Sequence, residues 1–105
     1  MAGEHRLGPI DQIPPGEGRN FEVAGRPVAV FRTRDDNVFA TQAYCPHKAG
    51  PLADGMVGNR VVVCPLHDWR FDLATGQPAS GQCGIEVYPV RTTEDREIVL
   101  MLDGG

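Results

Sequence analysis

Short apolar stretches with alternating or β-branched residues run along this chain of 105 residues, and its 13 glycines and 9 prolines interrupt them often. This pattern favours strands over helices. We predict a hairpin turn at Asp35-Asp36-Asn37, a second turn at 92–96 and an irregular connection at 11–18. The predicted strands cover residues 21–23, 27–34, 38–43, 60–64, 70–72, 86–91 and 98–102.

Composition limits the chain to one compact domain, which we place at residues 1–105, because 41% hydrophobic content supports only one modest core. Ten basic and fourteen acidic residues are interspersed and give a net charge of −4, so nucleic acid and anionic membranes are not expected partners. The sequence has neither an apolar run of membrane-spanning length nor the layout of a secretory signal at its start. We therefore expect a cytoplasmic protein.

Two short segments carry the candidate chemistry. Cys45 and His47 form the first pair and Cys64 and His67 the second, each with one thiolate and one imidazole. Structural zinc sites usually group Cys with Cys and His with His, whereas both pairs here are mixed. Mixed pairs suit a [2Fe-2S] centre in which two His replace two Cys on one iron. Zinc on the same four residues, or a metal-free fold, remains an alternative.

The two motifs, C-x-H followed by C-x-x-H, and the segments around them resemble Rieske proteins. The resemblance extends through Gly50-Pro51-Leu52, Asp54-Gly55 and Trp69-Arg70-Phe71-Asp72 to almost the whole chain. It implies an antiparallel β-sandwich of small sheets, in which two ligand loops form a cluster-binding subdomain. It also implies a Rieske-type [2Fe-2S] cluster, with Cys45 and Cys64 on the inner iron and His47 and His67 on the outer iron.

Other residues near the ligands have less specific roles. Gly50, Gly55 and Gly58 are expected to give the loops backbone freedom near the sulfides. Cys83, in a third segment, is expected to be a packed small residue rather than a ligand. With two cysteines assigned to iron, this single remaining thiol cannot form an internal disulfide, which suits a reducing compartment.

The ligand set also bears on the reduction potential. The charges of two ferric ions, two sulfides and two thiolates sum to zero, so an added electron is accepted more easily than in an all-Cys cluster. Reduction potentials of Rieske clusters are roughly −150 to +300 mV, whereas those of plant-type all-Cys clusters are about −400 mV. High-potential Rieske proteins carry a loop-bridging disulfide, at positions that match Gly50 and Leu66 here, and hydroxyl donors where this chain has Trp69 and Phe71. We therefore predict a potential in the lower half of the range.

The ligand motifs and the resemblance leave three possible classes of function. The ligand segments look most like the small subunit of assimilatory NAD(P)H-dependent nitrite reductase, a family in which a large sirohaem flavoprotein subunit reduces nitrite to ammonia. The alternative is a free Rieske-type ferredoxin that carries electrons from a flavoprotein reductase to an aromatic-ring dioxygenase. A binding module that holds zinc or no metal is the third class. No catalytic residues are predicted in this chain, because it shows no nucleophile arrangement.

Overall fold

The computed structural model describes residues 2–44, 51–58, 60–64, 70–78 and 84–103. Within these ranges there is no α-helix, and no helix is long and apolar enough to cross a membrane. Two single 3-10 turns lie at Ile10–Gln12 and Leu52–Asp54. The strands are β1 Ala2–Pro9, β2 Glu17–Val23, β3 Arg26–Arg32, β4 Val38–Gln42, β5 Met56–Val57, β6 Val61–Val63, β7 Arg70–Asp72, β8 Val87–Tyr88, β9 Val90–Thr92 and β10 Glu97–Asp103.

The ten strands form three antiparallel sheets. Their orders are β1-β10-β9, β2-β3-β4-β8 and β5-β6-β7. Tight turns join β2 to β3 and β3 to β4, and the latter turn contains the predicted Asp35-Asp36-Asn37 segment. The expectation of an antiparallel, nearly all-β fold is confirmed.

Strand β3 is the centre of the packing because both of its faces are buried. Side chains alternate between the two faces of a strand, so Val28 and Val30 point to one side and Ala29 and Phe31 to the other. Val28 and Val30 pack in a cluster with Ile98 and other residues of the β1-β10-β9 side. Phe31 is fully buried in a second cluster with residues of the β5-β6-β7 sheet, and burying such a ring contributes about 1.5–3 kcal/mol.

Two strands were not predicted from the sequence, and one predicted strand is divided. Strand β1 lacks a continuous apolar face, since it contains Gly3 and Gly8, and its register shifts before Gly8, where φ is +105°. Strand β5 has only two residues, too few to show a period. The predicted strand 86–91 is split at Pro89, which has no N–H to donate to a sheet. The connection at 11–18 includes part of a 3-10 turn and the start of β2.

The buried guanidinium of Arg32 holds the first 3-10 turn against the β3–β4 turn. Its Nη1 donates to the carbonyl of Ile13 at 2.9 Å, and its Nη2 donates to Asp36 Oδ1 at 2.8 Å. Arg96, from the β9–β10 turn, lies 3.8 Å from the other oxygen of Asp36. The hydrogen bond from Arg32 is the main cause that lowers the pKa of Asp36 below its ordinary value.

A change of Asp36 to Asn should therefore show a pH-dependent loss of stability. The folded state holds the carboxylate ionised more strongly than the unfolded chain does, so the Asp36 contribution is complete above the ordinary pKa. It is lost as pH falls below about 4 and passes through the lower folded value. Urea titrations should show a constant gap between the native protein and Asp36→Asn at pH 5–7, and a closing gap in more acidic buffer. A gap that widens on acidification would contradict this.

Candidate metal centre

Of the four predicted ligands, Cys64 lies within the described residues. Cys45, His47 and His67 lie outside them, as do Gly50, Leu66, Trp69 and Cys83, on which other expectations fall. The described chain nevertheless includes the residues that flank each ligand segment. The described part of the site consists of Cys64 and the backbone on either side of residues 45–50 and 65–69.

Cys64 directly follows strand β6 and points into the core. The alternation along the strand places it on the same face as Val62, and both residues are buried. Its side chain is 1% exposed and belongs to the cluster that contains Phe31, Leu52 and Phe71. A thiol in this position fits the expected inner ligand, which is shielded from water. For a cysteine without metal, burial as a small apolar side chain is equally ordinary.

The two sides of residues 45–50 are held together by the backbone. Tyr44 and Pro51 form an isolated antiparallel bridge, and the N–H of Leu52 donates to the carbonyl of Ala43 at 2.9 Å. Leu52, in the 3-10 turn that follows, is fully buried in the same cluster as Cys64. Tyr44 itself is 46% exposed. The residues just before and just after the first ligand segment are therefore paired with each other.

Gly55 lies against strand β6, which leads into the second ligand segment. Strand β5 pairs with β6 so that Met56 lies opposite Val63, one residue before Cys64. A Cβ atom at Gly55 would lie 2.1 Å from the carbonyl oxygen of Val63. Only a residue without a side chain allows this approach, because real Cβ atoms do not come under 3.0 Å. The chain that follows the first ligand segment is therefore in direct contact with the strand that leads into the second.

The expected backbone freedom of these glycines takes a different form in the structure. Gly55 has φ −75° and ψ 168°, which any residue adopts, so its lack of a side chain matters for space rather than for conformation. Gly58 has open space around it among the described residues. Sequence reasoning gave no role to Gly76, whose φ is +80° and whose Cβ position lies 2.0 Å from the Ile85 carbonyl oxygen.

The second and third segments are closed in a similar way. Val63 pairs with Arg70 across residues 64–69, as the first pair of the β6–β7 ladder. The chain on both sides of residues 79–83 is tied by the N–H of Ile85, which donates to the carbonyl of Gly76 at 2.8 Å. Three short segments therefore start and end on well-paired backbone.

These observations fit a Rieske cluster. A buried thiol at the end of β6 is a soft ligand of the kind iron–sulfur clusters use, and Gly55, in the chain that follows the first ligand segment, contacts the same strand. Among the described residues, no group of three His, Cys, Asp or Glu side chains offers a second metal site. A bound [2Fe-2S] cluster would accept and release single electrons.

The chain belongs to the Rieske [2Fe-2S] domain family, whose model matches residues 4–89. Membership of this family identifies the cofactor of the chain as a Rieske-type [2Fe-2S] cluster and its role as an electron carrier of oxidoreductase systems. The match confirms the resemblance drawn from the two Cys-His pairs.

Similar proteins include ferredoxin components of dioxygenase systems and a nitrite reductase small subunit. The ferredoxin component of naphthalene 1,2-dioxygenase/salicylate 5-hydroxylase systems from Ralstonia sp. is 32% identical over 94 residues, which are 88% of this chain and 89% of that protein. A structure from Mycobacterium tuberculosis described as an NADH-dependent nitrite reductase small subunit has a TM-score of 0.90 at 25% identity, covering 98% of this chain and 97% of its own. The ferredoxin of carbazole 1,9a-dioxygenase from Nocardioides aromaticivorans has a TM-score of 0.82 at 32% identity, with 95% and 98% covered.

Proposed function

We propose that this protein is the small subunit of an assimilatory NAD(P)H-dependent nitrite reductase, and that it acts in the cytoplasm as a single Rieske domain. The observation that supports this most is the TM-score of 0.90 to the Mycobacterium tuberculosis protein, over 98% of one chain and 97% of the other. Cys45, His47, Cys64 and His67 hold the cluster in this proposal. The reduction of nitrite to ammonia belongs to a large sirohaem flavoprotein subunit, and this chain transfers electrons.

The second candidate is a free ferredoxin that carries electrons from a flavoprotein reductase to an aromatic-ring dioxygenase. Sequence identity favours it, at 32% to the Ralstonia sp. ferredoxin component over 88% of this chain. The two candidates share the fold, the cofactor and the direction of electron flow. They differ in the protein that receives the electron.

Recovery of that partner is the test of the proposal. The tagged, cluster-loaded protein is expressed in its own cells grown with nitrate as the nitrogen source and is purified under anaerobic conditions. We expect a flavoprotein that shows the visible absorption spectrum of sirohaem to co-purify. The same flavoprotein should be missing from cells grown on ammonia. Recovery of a ring-hydroxylating oxygenase instead would replace the proposal by the ferredoxin candidate. An untagged strain is the control for adventitious recovery.

The reduction potential should lie in the lower part of the Rieske range, below about +100 mV. Phe71 is fully buried among the same core side chains as Cys64, and its phenyl ring has no hydroxyl to donate toward a ligand sulfur. Fewer donors stabilise less negative charge on the reduced cluster. Direct electrochemistry at neutral pH measures the potential, and a value well above +100 mV would show that this reasoning is wrong. Phe71→Tyr is the matched variant, and we expect its potential to be the higher of the two.

A further inference from the structure

The side-chain amide of Gln42 connects Tyr44, which precedes the first ligand segment, with Glu86, which follows residues 79–83 in the chain. Its Nε2 donates to the carbonyl of Tyr44 at 2.7 Å, and its Oε1 accepts the N–H of Glu86 at 2.8 Å. The backbone N–H of Gln42 also donates to the carbonyl of Glu86 at 3.0 Å. One residue thus makes three hydrogen bonds at the end of β4, two of them to a residue 44 positions away.

The bond to Tyr44 acts on the first ligand segment. The Tyr44 carbonyl belongs to the peptide bond that joins Tyr44 to Cys45, and a peptide group is planar. A donor that fixes this carbonyl therefore fixes the orientation of the whole peptide plane from which the ligand residue starts. The bridge between Tyr44 and Pro51 fixes the position of the chain there, and the amide of Gln42 adds the orientation.

The bond to Glu86 anchors the amide on the other side. Residues 84–86 follow the segment 79–83, and Ile85 is tied by its N–H to the carbonyl of Gly76. The ladder between β4 and β8 pairs Ala40 with Tyr88 and Thr41 with Val87. Gln42 is the last residue of β4, so the hydrogen bond of its side chain to Glu86 links the two strands beyond the last pair of the ladder.

We propose that Gln42 is a positioning residue for the cluster, which sets the peptide before Cys45 by bonding Tyr44 and Glu86 at once. This role rests on Rieske membership and not on the nitrite reductase assignment. Its loss should loosen the first ligand segment without unfolding the domain, because the cores around Phe31 and Val30 do not include Gln42.

The rate at which the cluster is lost to an iron chelator tests the proposal. Gln42→Met keeps the length of the side chain and loses both bonds, and we expect iron release from the anaerobic holoprotein to be about fivefold faster or more. Gln42→Glu keeps the acceptor for the Glu86 N–H but loses the donor to Tyr44, so we expect similarly fast release. Release at the native rate from either variant would overturn the proposal.

Gln12 supplies the matched control. Its Nε2 donates to the carbonyl of Leu7 at 2.8 Å, the same kind of bond in the β1 region of the fold. Gln12→Met loses one side-chain bond where Gln42→Met loses two, so it should lower the melting temperature by a smaller amount and leave iron release unchanged. Equal acceleration in both variants would assign the effect to general destabilisation and overturn the proposal. Hydrogen exchange on the metal-free protein adds a readout without the cluster: the N–H of Glu86 should exchange faster in Gln42→Met only.

Discussion

Gly55→Ala is expected to destabilise the protein by about 3 kcal/mol or more and to abolish cluster loading. The added Cβ would lie 2.1 Å from the Val63 carbonyl oxygen and 3.1 Å from that of Leu52. Both obstacles are backbone atoms, so no side chain can rotate to make room. The β5–β6 pairing must open, which moves the chain after the first ligand segment away from the strand that leads to Cys64. Urea unfolding and iron content per chain measure the two effects.

Gly58→Ala is the matched control, because no described atom lies within 4 Å of its Cβ position. The same substitution three residues along the chain should change stability by less than about 1 kcal/mol and leave the iron content intact. If Gly55→Ala loads iron as Gly58→Ala does, the contact at Val63 does not hold the two ligand segments together. Since the backbone of Gly55 is in an ordinary conformation, strain cannot explain a difference between the two variants.

Cys64→Ala should eliminate the cluster while the metal-free domain still folds. The side chain is buried and surrounded by Phe31, Leu52 and Phe71, so removal of its sulfur leaves only a small cavity. We expect a loss of about 1 kcal/mol in the stability of the metal-free protein, similar to other single-atom core truncations. Iron and the brown colour should be absent, because a [2Fe-2S] cluster does not tolerate the loss of one thiolate from four ligands.

Cys83→Ala is the comparison for this variant, since Cys83 is expected to be packed and not to bind iron. It should retain two irons per chain. Iron analysis and visible spectra of anaerobically purified proteins distinguish the two cysteines. A brown Cys64→Ala protein, or a colourless Cys83→Ala protein, would contradict the proposed ligand set.

The strands that could be predicted from the sequence are those with a strong apolar pattern. The predicted strand 27–34 contains the fully buried β3 core, because four apolar residues from Val28 to Phe31 fill both of its faces. Strand β1 gave no such signal, although it pairs with β10 from Ala2 to Arg6 and again at Gly8 and Pro9, because it contains the exposed Glu4 and the glycines Gly3 and Gly8.

The sequence indicates the chemistry of the site more clearly than it indicates the contacts that position the ligand segments. Four ligand residue types at matched spacing point to one kind of cluster, and the family match confirms that cofactor. The closeness of Gly55 to Val63 depends on strand pairing, and the bond from Gln42 to Glu86 joins residues 44 positions apart. Contacts of this kind leave no periodic or local pattern, so sequence reasoning alone did not find them.

Mössbauer spectroscopy of the iron-57 holoprotein tests the central claim most directly. If Cys45, His47, Cys64 and His67 hold a Rieske cluster, the spectrum must contain two unequal iron sites in equal amounts, one with only sulfur ligands and one with two nitrogens and two sulfides. We expect this result, with two irons and two acid-labile sulfides per chain. One zinc per chain, or two equivalent irons, would contradict it.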